Sequence, residues 1–250
     1  MLIALAQIPG VPLDIEANVG AHVQAVEAAA AAGARLVLFP ELSLTGYEID
    51  GIASDPTRQL DDPATVDDER LRPLREACTL AGLTAVVGAP TRRAGRTYLS
   101  ALALDGRGGV TVYDKRNLFG AEKDVFTAGT GGRTLTVCDR RLALGICFDL
   151  SDDDQAGAAA AGDAWMLGVL LTGPGYAADA ARAAQVAQRH GVTVVLANHA
   201  GPSGGMVGCG GSGMWTADGG HVAADAGDQE QVAGVWLFDL DDAAVHRRIA

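Results

Sequence analysis

The stretch LALGICFDLSDDD, residues 142–154, decides how the rest of the chain is read. Its first five residues are apolar or glycine, as a buried strand requires, its last three are aspartates, and Cys147 stands between. By residue type alone Cys147 is one more core thiol, because free cysteine is among the most buried side chains. It becomes a nucleophile only where the chain also supplies a base and a partner for developing charge. Strands closed by turn residues recur on its N-terminal side. LIALAQI (2–8) runs into Pro9–Gly10, RLVLFP (35–40) closes on Pro40, and LTAVVGAP (83–90) closes on Pro90.

Between these strands the spacing predicts a helix from about Ile15, N-capped by Asp14. Val19, Val23, Val26 and Ala30 form its apolar face, and Gly33 ends it. The polar, proline-bearing segment 48–70 reads as a surface loop, and 67–82 as a second helix. From 97 to 147 the texture is strand-rich: TYLSALALDGRGGVTVYDK gives two strands around a glycine turn, and RTLTVCDRRLALGICF gives another pair. Beyond Cys147 come a helix (about 152–162), a strand (165–171), a helix (177–190) and the strand VTVVLANHA (192–200). Two strand-like segments, GSGMWTAD (211–218) and QVAGVWLFDLD (231–241), follow. No linker or repeat divides residues 1–250, which read as a single α/β domain built as a layered sandwich.

Composition narrows the function classes. Hydrophobic residues make up 48% of the chain, enough for a sizeable core, and 19 Lys and Arg against 31 Asp and Glu give a net charge of −12. Without a basic cluster, neither nucleic acid nor an anionic membrane is an expected partner. Cys78, Cys138, Cys147 and Cys209 are scattered and form no C-x-x-C, which suits a reducing cytosol and not a disulfide framework. The opening MLIALAQIPG has no positive n-region, and the longest apolar run, AWMLGVLLTG (164–173), is too short to span a bilayer. A cytoplasmic protein is expected. The histidines show no H-E-x-x-H pattern, so neither a metal nor another cofactor is expected.

Three chemically capable residues stand where apolar strands end: Glu41 in LVLFPELSLTGYE, Lys115 in VTVYDKRNLFGAEKDVF, and Cys147, with Glu122 one loop beyond the lysine. Singly, each has an ordinary explanation as a cap, a solvated charge or a core thiol. Together, in this order, they resemble the glutamate, lysine and cysteine motifs of the nitrilase superfamily of carbon–nitrogen hydrolases. VVLANHAG and GGSGMWTADG resemble two later segments of that family. The resemblance implies a four-layer α-β-β-α sandwich and a Glu41–Lys115–Cys147 catalytic triad. It further implies a supporting role for Glu122, an oxyanion contact from the Phe148 backbone N–H, and Tyr47 and Asp152 as substrate-pocket candidates. The implied substrate is a small amide or N-carbamoyl compound, and the implied assembly a homodimer or larger homo-oligomer.

CFD together with FPELSLTGY looks more like the amidase and carbamoylase branches than the nitrile-cleaving one, whose members tend to carry Trp-Glu after the cysteine. The chain departs from the family in two places. Ser151 to Asp154 replace an aromatic-Pro-Glu run, and VAQRH (186–190) replaces an Arg-Ala-x-Glu-Asn pattern. The aspartates have two open readings: N-terminal residues of the following helix, or an acidic wall of the pocket. With no arginine after the cysteine, an amide carrying a carboxylate tail is the expected worst substrate. Other readings are a Cys–His hydrolase using His190 or His199, a nitrile-hydrolysing enzyme, and an inactive binding module on the same fold. GCGGSG (208–213) satisfies G-x-G-x-x-G, but MWTADGG after it reads as a strand and turn, so it is a loop and not a dinucleotide site.

Overall fold

Side-chain alternation along the strands assigns the apolar residues to three separate layers. A computed structural model describes residues 1–64, 68–226 and 232–250. The first half contains β1 (Leu2–Gln7), α1 (Ile15–Ala31), β2 (Leu36–Leu38), α2 (Ile49–Ser54), β3 (Leu60–Asp61), α3 (Arg72–Ala81), β4 (Thr84–Arg93), β5 (Arg96–Leu104) and β6 (Val110–Asp114). After these come α4 (Glu122–Val125), β7 (Thr134–Val137), β8 (Arg140–Ile146), α5 (Asp153–Ala159), β9 (Ala164–Val169), α6 (Gly173–His190) and β10 (Thr193–Asn198). The remaining strands are β11 (Ala200–Ser203), β12 (Met206–Cys209), β13 (Gly213–Trp215), β14 (His221–Ala223), β15 (Gly234–Asp239) and β16 (Asp242–Arg248).

One sheet has the order β16-β15-β1-β2-β4-β5-β6, with β3 added along β4; the second has the order β14-β13-β10-β9-β8-β7. Ile3, Leu5, Leu36 and Leu38 of the first sheet pack against Leu142, Leu144, Met166 and Val195 of the second. Their sequence neighbours Ala4, Ala6 and Val37 face the opposite way, onto α1 and α3. Ala143, Trp165, Leu167 and Leu196 likewise face α5 and α6. The period of two therefore produces the implied four-layer α-β-β-α sandwich.

Local chemistry explains the elements. Asp14 caps α1 by accepting the Ala17 N–H at 2.9 Å. The buried stripe of α1 includes Asn18 and His22, while Val23 and Ala30 of the expected face are only half-buried. The stripe shifts because Asn18 donates to the Leu44 carbonyl and His22 meets Ser43 Oγ at 2.9 Å, tying the helix to the loop after β2.

The described part of segment 48–70 is not the surface loop its polarity suggests. Ile49 and Ile52 of α2 and Leu60 of β3 are buried, so three well-placed apolar residues fold an otherwise hydrophilic stretch onto the sandwich. The expected start of the second helix, residue 67, lies outside the described residues, as does residue 231; a 3-10 turn, Glu69–Leu71, leads into α3. GCGGSG runs from the end of β12 into β13 through Gly210 and Gly211, both at positive φ, and no helix opens there.

In the first sheet β2 and β4 are parallel, and β6 runs the same way because it is antiparallel to β5, itself antiparallel to β4. In the second sheet β8, β9 and β10 are parallel. The loops leaving β2, β6, β8 and β9 converge at one end of the sandwich, bringing Glu41, Lys115 and Cys147 together there.

Candidate active site

Glu41 sits on a loop that the two sheets clamp. Residues 36–46 are all buried. A Cβ at Gly88 of β4 would lie 2.3 Å from the Leu42 nitrogen, and one at Gly168 of β9 would lie 2.6 Å from the Phe39 oxygen. Only glycine lets both strands approach the glutamate backbone so closely. The loop is also pinned by Phe39 N–H to the Val86 carbonyl (2.9 Å) and Leu44 N–H to the Gly88 carbonyl (2.9 Å). His199 Nε2 lies 2.6 Å from the Glu41 carbonyl oxygen, which makes that nitrogen the donor. Gly168→Ala is expected to push the Glu41 backbone aside and lower kcat about 100-fold, the scale of an ångström misplacement. Steady-state kinetics beside a thermal melt check this; a folded Gly168→Ala protein with wild-type kcat would show that the clamp is dispensable.

Lys115 follows β6 and is 1% exposed. Its ammonium donates to Glu41 Oε1 at 2.6 Å and to Glu122 Oε1 at 2.7 Å. An ammonium has three N–H donors, so one remains. Glu122 is met by two further donors, Tyr47 Oη at 2.5 Å and the Phe119 N–H at 2.8 Å. Tyr47 thus joins the site by fixing Glu122, besides lining the cavity.

Two carboxylates around one ammonium leave excess negative charge in a dry site, and one carboxyl must yield. Burial pushes the Glu41 carboxyl up to about 7, Lys115 opposing the rise and Glu122 adding to it. Burial works against the Lys115 charge, but Glu41, Cys147 and Glu122 outweigh it and hold the lysine above its ordinary value. Burial, with the Glu41 charge, also raises the Cys147 thiol well above its ordinary value, so the resting group is a thiol facing Glu41 across the cavity.

Cys147 occupies the turn between β8 and a 3-10 helix, Cys147–Ser151, with φ +43°. A non-glycine residue there is strained and lifts its side chain out of the sheet, as in a nucleophile elbow. Asp149 holds the turn. It accepts the Ile146 N–H (2.9 Å), Tyr113 Oη (2.6 Å), the Asn117 N–H (2.8 Å) and Gln155 Nε2 (3.0 Å). One buried carboxylate thereby couples the cysteine turn to the lysine segment, across both sheets.

Glu41, Lys115, Glu122, Tyr47 and Cys147 all line one cavity of about 390 Å³. Its walls include Val169, Leu171, Leu196 and Phe148, whose ring lies 5.1 Å from that of Phe119. No described histidine lines it: His199 is buried against the Glu41 carbonyl, and His190 meets Asp153 at 2.9 Å. The Cys–His reading therefore lacks its base.

A carbon–nitrogen hydrolase family profile matches residues 2–246. The chain belongs to this family. Among solved structures it is similar to a cysteine-to-alanine variant of the Nesterenkonia AN1 amidase from the nitrilase superfamily, with 29% identity over 97% of this chain and 91% of that one and a TM-score of 0.82. The NitN amidase from Nesterenkonia sp. AN1 matches at 29% identity over 97% and 94%, with a TM-score of 0.83. A variant of that amidase in complex with butyramide matches at 27% identity over 98% and 91%, with a TM-score of 0.83. No curated protein matches the chain. The protein is a carbon–nitrogen hydrolase of the amidase type with the nitrilase-superfamily fold.

For this carbon–nitrogen hydrolase one expected site residue is corrected. Asp152 does not line the cavity. It caps α5, accepting the Asp154 and Gln155 N–H groups at 3.0 and 3.2 Å, and it also accepts Asn117 Nδ2 at 2.9 Å. Asp153 pairs outward with Arg189 and His190. The acidic run serves the helix. Asp149, Gly88 and Gly168 were not recognised as site residues in the sequence, His199 was considered only as the base of a Cys–His hydrolase, and Asp179 and Arg182, which reach the cavity from α6, were not recognised either. Among the described residues no group of three His, Cys, Asp or Glu side chains is placed to hold a metal ion, and no helix is long and apolar enough to cross a membrane.

Proposed function

We propose that this hydrolase cleaves small linear primary amides through a thioester on Cys147, with Glu41 as general base and acid and Lys115 as oxyanion donor. The observation that carries the proposal is the Lys115 ammonium held between Glu41 and Glu122 in the cavity that also holds the thiol. As the sulfur attacks the carbonyl carbon, Glu41 takes the thiol proton. The tetrahedral oxyanion then faces the spare Lys115 N–H and the Phe148 backbone N–H, each worth about 3–4 kcal/mol in the transition state. Glu41 returns its proton to the departing nitrogen, ammonia leaves, and the thioester remains. Water attacks the thioester with Glu41 again as base, releasing the carboxylic acid and restoring the thiol. Glu122 holds Lys115 in place and does not itself exchange protons.

The relatives' complexes favour short acyl chains: butyramide and acrylamide are named with the Nesterenkonia amidase. Scattered, unpaired cysteines support the cytoplasm as the working compartment, and family membership supports a homo-oligomer built from this one-domain chain. The test is ammonia release from acetamide, butyramide, an N-carbamoyl amine and butyronitrile. The amides are expected to react and the nitrile not to. A nitrile cleaved faster than its matched amide would replace the amidase reading. Because Glu41 must be ionised to accept the thiol proton and its carboxyl lies at about 7, kcat/KM is expected to fall about tenfold per pH unit below that value. A flat profile from pH 5 to 8 would remove Glu41 as the base.

A further inference from the structure

Outside the catalytic cluster, the cavity has two charged lining residues, and they are opposite in sign: Asp179 and Arg182, both from α6. We propose that these two side chains form the far-end subsite and select primary amides whose tail carries an ammonium and a carboxylate on one carbon, the α-amino-acid arrangement. This rests on the amidase reading and names its substrate class. Three residues apart on a helix, the two side chains leave the same face about 5–6 Å from each other. Arg182 acts electrostatically on Asp179, yet among the described residues neither is closed in an ion pair. Arg189, the next cation along the helix, is by contrast held by Asp153 at 3.1 Å.

Between the catalytic cluster and α6 the wall is largely apolar, with Leu150, Val169, Leu171 and Met206. Methylene groups fit that wall, and the charges that face a tail beyond it are those of α6. Arg182 also lines an adjoining polar cavity of about 260 Å³ with Ser151, Gln185, Asp153 and Arg189, where the Asp153 carboxylate is taken up by Arg189 and His190. A tail with only a carboxylate would face Asp179, one with only an ammonium would face Arg182, and a neutral tail would leave both unmatched. The arginine missing after Cys147 is thus supplied from another element, and a carboxylate is not excluded by its absence there.

Four primary amides of similar length separate the cases: pentanamide, glutaramic acid, 4-aminobutanamide and glutamine. Glutamine is expected to have the highest kcat/KM, about tenfold or more above each of the others. Asp179→Asn should shift the glutamine-to-glutaramate ratio, and Arg182→Gln the glutamine-to-aminobutanamide ratio, each about tenfold in favour of the singly charged amide. Calorimetric binding of the same four to Cys147→Ala should give the same order without turnover. Pentanamide or a singly charged amide as best ligand, with ratios indifferent to both substitutions, would overturn the subsite. Turnover of pentanamide with no preference for glutamine would sink the subsite and leave the amidase reading standing. No ammonia from any of the four would sink the amidase reading, and the binding order would still decide the subsite.

Discussion

Cys147→Ala is expected to abolish amide turnover, a loss of about five orders of magnitude or more, while the protein stays folded. In the proposed mechanism the sulfur bonds to the substrate, and the raised thiol pKa means its attack is coupled to proton transfer within the cluster. Alanine keeps the Cβ and removes only an atom at the rim of the cavity, where Cys147 is half-buried. The core between the sheets is untouched, so thermal stability should change little. Of the other thiols, Cys78 and Cys209 are buried, and Cys138 is exposed at the β7–β8 turn, at the opposite end of β8 from Cys147. Because exposed Cys138 also reacts with iodoacetamide, the informative readout is loss of activity tied to Cys147 modification and not total label. Turnover retained in Cys147→Ala would end the thioester account.

Glu41→Gln is expected to lower kcat by about three orders of magnitude, the middle of the range for a positioned general base. The substitution is nearly isosteric and keeps an oxygen for Lys115, so stability should hold, and the acid limb of the pH profile should vanish with the carboxyl. Lys115→Ala should cost at least as much in rate, and it should also destabilise the fold. It leaves Glu41 and Glu122, both nearly inaccessible, without their counter-charge, a situation that typically costs about 3–5 kcal/mol. The pair of measurements separates the roles: a rate defect with an intact melt for the glutamate, a rate defect with a lowered melt for the lysine. Wild-type rates in either variant would mean that the buried ion cluster is structural.

The sandwich, and the meeting of Glu41, Lys115 and Cys147 in one cavity, were legible because each rests on short-range pattern. Alternation within Leu2–Gln7 and Arg140–Ile146 is enough to sort side chains between layers, and Glu41, Lys115 and Cys147 each follow an apolar strand directly. What was not legible depends on contacts between segments far apart in the chain. Gly88 and Gly168 look like ordinary strand glycines until the other sheet brings the Glu41 backbone against them. Asp149 reads as one more acidic residue of a charged stretch, whereas it is the buried acceptor that joins β6 to the elbow. Arg182 belongs to an alanine-rich helix whose turn toward the cavity is fixed only when Ala183, Val186 and Ala187 pack on β9 and β10. Segment 48–70 misled because its charges outnumber three apolar residues that decide its place.

The central claim is a covalent acyl group on Cys147, and intact-mass analysis of the wild-type protein quenched during turnover of butyramide tests it most directly. The predicted result is an adduct of the butyryl mass, mapped by proteolysis to the peptide containing Cys147, absent from Cys147→Ala and removed by hydroxylamine. Steady turnover with no adduct at any quench time in a variant slowed in deacylation, or the same adduct carried by Cys147→Ala, would contradict it.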